Sequence, residues 1–87
     1  MSTAAQLLPT KLIVLAAFVR DEEGEVRPAF EPRECQSEGQ ASQQARVLKS
    51  SGQYVGVLAW WRDADLINGE FGEPVEIYRW GSIADMD

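Results

Sequence analysis

Two stretches of the chain are apolar at both side-chain parities, and a third is apolar at helical spacing. Residues Lys11 to Arg20 carry aliphatic and β-branched side chains at odd and even positions alike, the pattern of a strand buried on both faces. Gln53 to Trp61 repeats it once Gly56 is discounted. Both stretches therefore read as central strands. Between them, Asp21-Glu22-Glu23-Gly24-Glu25 supplies a turn in which Gly24 can take the positive φ that hairpin loops require. Val26 to Phe30 returns as a strand. Pro28, and Pro32 beyond it, cannot donate to a ladder, which assigns this strand to an edge.

Ser37 has the character of a helix start, with Glu38 in the first turn and Gln40 as capping partner, and Gly52 ends the helix. At about 100° per residue, Ala41, Gln44, Ala45, Val47 and Leu48 form one stripe, with Gln43, Arg46 and Lys49 outside it. Residues 62–73 read as a polar loop containing Asn68-Gly69 and Gly72. Pro74 opens a last strand that reaches Trp80 and closes at Gly81.

The order strand, strand, helix, strand, strand predicts an α+β domain of ββαββ type. Its expected core is a four-stranded antiparallel sheet in the order 2-1-3-4, with one helix packed on one face. A right-handed crossover from the second strand to the third leaves a gap that the first strand fills. This puts the two doubly apolar strands in the middle and the proline-bearing strand outside. The expected division is a flexible lead-in at 1–10, a single domain at 11–81 and an acidic flexible tail at 82–87.

One helix covers one face of such a sheet. Val55, Val57, Val75 and Ile77 share the parity that suits the small helix stripe, so Leu58, Trp60, Tyr78 and Trp80 are expected on the opposite face. A contiguous patch of that kind is a typical protein contact surface. It predicts sheet-face association, most simply a homodimer, unless the 62–73 loop and the chain ends fold over it. Which parity of the Leu12 to Phe18 strand faces the helix stays open.

Composition sharpens the picture chiefly by exclusion. At 87 residues the chain has room for one small core. Histidine is absent, which removes imidazole acid–base chemistry, Ser-His-Asp and Cys-His dyads and His-containing metal sites. The single cysteine, Cys35, cannot form an internal disulfide and fits a reducing, cytoplasmic setting. Its neighbour Glu34 is expected to raise the thiol pKa and leave it unreactive. The longest apolar run, Leu12 to Val19, falls short of the roughly 20 residues that a spanning helix needs. Lys11 and the apolar stretch to Ala17 loosely copy a signal peptide, but the long polar lead and Pro9 favour a buried strand.

Formal net charge is -6, which disfavours direct binding to nucleic acid. The acids fall in two blocks. Residues 21–38 hold seven against Arg27 and Arg33, and residues 63–87 hold seven against Arg79. Asp21, Glu22, Glu23, Glu25, Asp63, Asp65, Glu70 and Glu73 form the expected acidic patch. Neither block fits a calcium loop, because Pro32 and Pro74 fall where the twelfth-position ligand belongs. Gly69-Glu70-Phe71-Gly72 matches no phosphate-cradling fingerprint. Glu70 and Glu73 could be drawn as a carboxylate pair, but so short a chain offers no substrate cleft.

The expectation is a non-enzymatic, cytoplasmic protein-interaction module with no catalytic residues, metal or cofactor. Its partner would be a second copy, a basic protein or both, with no membrane and no direct nucleic acid. Spaced carboxylates on a small domain have the format of an acidic inhibitor that imitates nucleic acid, as mobile elements encode. The alternative is a small-molecule site formed at a dimer interface.

Overall fold

A computed structural model describes residues 10–65 and 67–84. Its elements are β1 (Thr10–Arg20), β2 (Val26–Pro28), β3 (Arg33–Cys35), α1 (Glu38–Ser50), β4 (Gly56–Asp65), β5 (Glu70–Phe71) and β6 (Val75–Gly81). The class is the expected α+β, with the helix packed against an antiparallel sheet. Strand order runs β2-β1-β4-β5, with β3 also on β1 and β6 also on β4. Six strands thus stand where the pattern predicts four, because β3 forms beyond the predicted Val26 to Phe30 strand and β5 forms inside the predicted 62–73 loop. Pro28 and Pro32 flank the break between β2 and β3, where Ala29 N–H to Ala17 O, at 2.8 Å, is the last link. Gly72-Glu73-Pro74 separates β5 from β6.

The central pair is long. β1 and β4 stay in register from Thr10 opposite Ala64 to Phe18 opposite Gly56. The 62–73 segment, predicted as a loop, is instead mostly hairpin: β4 continues through Asp65 and β5 returns beside it, Ala64 facing Phe71. The polarity of Arg62, Asp63 and Asp65 marks a sheet end rather than a loop.

Helix α1 begins where its sequence dictates. Ser37 Oγ accepts from Gln40 N at 3.0 Å, and Gln40 Oε1 accepts from Gln36 N at 2.7 Å. Ser51 closes the other end, its N–H reaching Val47 O and its hydroxyl Leu48 O, and Gly52 follows at φ 74°. Ala41 and Ala45 are buried against the sheet and Leu48 packs beside them. Val47, predicted in that stripe, is 63% exposed. At about 100° per residue Val47 lies about 120° round the helix from Ala41 and further still from Ala45, so it falls at the edge of the stripe and stays in solvent.

Ser82–Ala84, expected to begin a mobile tail, pack on the sheet. Residues 1–9 and 85–87 lie outside the described residues. Among those described, no helix is long and apolar enough to cross a membrane.

Candidate association surface

Register fixes which side chains share a face. Odd-numbered residues of β1 face the helix: Ile13 and Leu15 join Cys35, Ala41, Ala45, Val57 and Ala59 in one buried cluster. Even-numbered residues point the other way, Ala16 and Phe18 clustering with Leu58.

Tyr78 and Trp80 are not on the outer face. They stand opposite Ala59 and Val57 and pack with the helix-side cluster. The cause is a bulge in β6 opposite Ala59 and Trp60, which inserts Ile77 and reverses the parity that Val75 sets. Val55 goes the opposite way, packing with Ala16, Phe18 and Leu58 because it precedes β4 and does not inherit its alternation. The large rings sit beside the helix, where lysines cover them: Lys11 Nζ is 4.3 Å from the Trp61 ring centre and Lys49 Nζ 5.7 Å from that of Trp80.

Leu58 and Trp60 do lie on the outer face, which has two unlike halves. At the Gly56 end, Ile83 and Ala84 fold over Ala16, Phe18 and Leu58, leaving Phe18 0% and Leu58 9% exposed. Two glycines permit this crossing. A side chain on Gly56 would overlap the backbone of Ser82, and one on Gly81, at φ +75°, would overlap the carbonyl of Val55. Ser82 N donates to Val55 O at 2.8 Å, and Arg20 Nη2 donates to Ser82 Oγ at 3.3 Å.

At the other end, no described segment lies over Leu12, Val14, Trp60, Arg62 and Phe71. Val14 stands opposite Trp60 and Leu12 opposite Arg62. The Arg62 guanidinium lies 5.3 Å from the Phe71 ring centre and 6.0 Å from that of Trp60, and its Nε donates to Gly72 O at 3.0 Å. Phe71 is 53% exposed and the other four are half-buried. Phe71 and Arg62 are not among the predicted contact residues. The signal was available, since Asn68-Gly69 between Ala64 and Phe71 is a hairpin signature.

The expected acidic patch is two patches. Asp21, Glu22, Glu23 and Glu25 occupy the β1–β2 turn, while Asp63, Asp65, Glu70 and Glu73 belong to the β4–β5 hairpin and the turn after it. β1 runs from one end to the other, about 33 Å at the usual rise. Two of the acids hold turns. Asp21 Oδ1 accepts from the N–H of Glu23 at 2.9 Å and of Glu25 at 3.0 Å, and its Oδ2 is bonded by Arg27. The Arg27 bond foremost, then the backbone donors, holds the Asp21 carboxyl below its ordinary 3.8. Asp65 accepts from Ile67 N, Asn68 N and Asn68 Nδ2 and is lowered in the same sense, chiefly by the Asn68 side chain. Glu22, Glu23, Glu70 and Glu73 are exposed.

Cys35 is buried, and burial pushes its thiol pKa up, against a smaller lowering by Arg33. The direction matches the sequence expectation, but the cause is desolvation rather than Glu34. An open groove of about 460 Å³ runs along the solvent side of α1, lined by Gln43, Arg46, Val47, Ser50 and Ser51. Among the described residues no three His, Cys, Asp or Glu side chains are grouped so as to hold a metal ion. No protein-family model matches the chain, and neither the curated proteins nor the solved structures yield a significant match.

Proposed function

We propose that this protein is a non-enzymatic association module whose contact surface is the half of the outer sheet face that the described residues leave open. Its partner would be a protein with basic surface flanking an apolar centre. The observation that carries this reading is Phe71, more than half exposed beside Arg62 and Trp60 at an end of the sheet where no described segment lies over Leu12 and Val14. Rigid aromatic and arginine side chains at the centre of a patch are the residues that dominate binding energy. The carboxylates at either end of β1 would steer a basic partner toward that centre.

Other readings draw less support. Imitation of nucleic acid asks for carboxylates spaced along one side, whereas here they stand at two ends and Asp21 and Asp65 serve as turn caps. A small-molecule site between the aromatic faces of two copies loses Tyr78 and Trp80, which pack beside the helix.

The test compares proteins retained from the source cell by the parent and by Phe71→Glu. A partner held by the parent, lost by the variant and weakened by added salt is the expected result. Identical retention by both would overturn the assignment.

A further inference from the structure

The two edges of the sheet differ. One, made of β2 and β3, is interrupted by Pro28 and Pro32, which blunt it against further pairing. The other contains β6, Val75–Gly81, seven residues without proline and paired on one side to β4. Among the described residues nothing pairs with its outer side.

Ladder geometry shows which backbone groups that side presents. Ser82 N donates to Val55 O, so Gly56 and Gly81 form a non-hydrogen-bonded pair. The antiparallel alternation then makes Leu58–Arg79 a pair of the same kind and, across the bulge, Trp60–Glu76 as well. In such pairs the N–H and C=O point away from the neighbouring strand. Arg79 and Glu76 therefore turn their main-chain donors and acceptors outward.

The same bulge sets their side chains on one face. Glu76 stands beside Trp60 and Arg79 beside Leu58, both on the outer face, although residues three apart in a regular strand alternate. Arg79 Nε and Glu76 Oε1 meet at 2.7 Å. The segment Val-Glu-Ile-Tyr-Arg-Trp, residues 75–80, is thereby self-complementary when run antiparallel. Glu76 meets Arg79 of a second copy, Val75 meets Trp80, and a two-fold axis passes between Ile77 and Tyr78.

We propose that β6 pairs antiparallel with β6 of a second copy, joining two four-wide sheets into one of eight. Glu76 and Arg79 supply the main-chain bonds and two cross-strand ion pairs, and Val75, 44% exposed, is covered by Trp80 of the second copy on the helix side. Opposite charges placed across neighbouring strands favour pairing, and like charges oppose it. The isologous contact follows from one strand meeting itself. This goes beyond the association proposed for the outer face and uses a different surface, so one chain pair would display two outer faces.

Sedimentation of the full chain over a concentration series tests it. The parent is expected to form a dimer. Glu76→Arg and Arg79→Glu each place like charges opposite one another and should weaken the dimer by about tenfold or more. The double exchange should restore it, and Arg79→Pro, which removes an outward N–H while leaving the β4 side intact, should abolish it. Phe71→Glu should leave the dimer unchanged, which separates this inference from the outer-face reading. A parent that stays monomeric at millimolar concentration overturns the proposal. So does a dimer indifferent to both charge reversals, or one lost with Trp60→Glu and kept with Arg79→Pro.

Discussion

The outer face of this sheet is one surface treated in two ways. At one end Ile83 and Ala84 close over Ala16, Phe18 and Leu58, and the covered residues are as buried as those under the helix. At the other end Leu12, Val14, Trp60, Arg62 and Phe71 form a half-wet aromatic strip centred on an arginine. A chain with one helix can cover one sheet face fully; the three residues after β6 extend cover to half of the second. What the described residues leave open there is chemically mixed, two aromatic rings around an arginine.

The sharpest way to break the comparison is to remove one aromatic from each half. Phe18→Ala should cost about 3–5 kcal/mol, as truncation of a fully buried Phe does, and lower the urea midpoint accordingly. Phe71→Ser should change stability by less than about 0.5 kcal/mol, the usual range for an exposed position. Equal losses at the two sites would erase the distinction. Next in size is the crossing itself. Gly81→Ala forces a residue with a side chain into the left-handed region at about 1–2 kcal/mol and pushes against Val55. Amides of Val55 and Ser82 should then exchange faster, with β1 and β4 slowed as before. Ser37→Ala, which removes the N-cap of α1, should cost about 1 kcal/mol by thermal unfolding and leave both halves of the face unaltered.

The smallest expected effect is in acid. Asp21 and Asp65 titrate below their unfolded value of 3.8 in the folded protein. The stabilisation they give is present above that value and is lost as pH falls through their lower folded values. Asp21→Asn or Asp65→Asn should flatten the acid limb of a stability-versus-pH profile by lowering its neutral plateau while leaving stability at low pH nearly the same. An unchanged acid limb would mean that these carboxylates do not hold their turns.

Much of this architecture is legible in the sequence because the relevant signals are local. The doubly apolar runs around Leu15 and Val57 announce the central strands, and Ser37 with Gln40 and Gly52 brackets the helix. Pro28 and Pro32 give the edge away. The errors share a physical origin in events that alternation does not encode. A single inserted residue, Ile77, carries Tyr78 and Trp80 from the outer face to the helix side. The Gly56–Gly81 approach, which lets residues 82–84 return over Phe18, depends on two glycines that meet only in the folded sheet. Val47 shows a third limit: it stands at the edge of the helical stripe, about 120° from Ala41, and an edge position can fall on either side of the packed surface. Of the predicted contact residues, Leu58 and Trp60 lie on the outer face, and Leu58 is under cover.

The most direct test of the outer-face assignment is residue-resolved hydrogen exchange of the protein alone and bound to the partner that Phe71→Glu fails to retain. New protection is expected at Leu12 to Val14, Trp60 to Arg62 and Phe71. Protection confined to α1 or to the turn at residues 21–25, with those positions unchanged, would contradict the account.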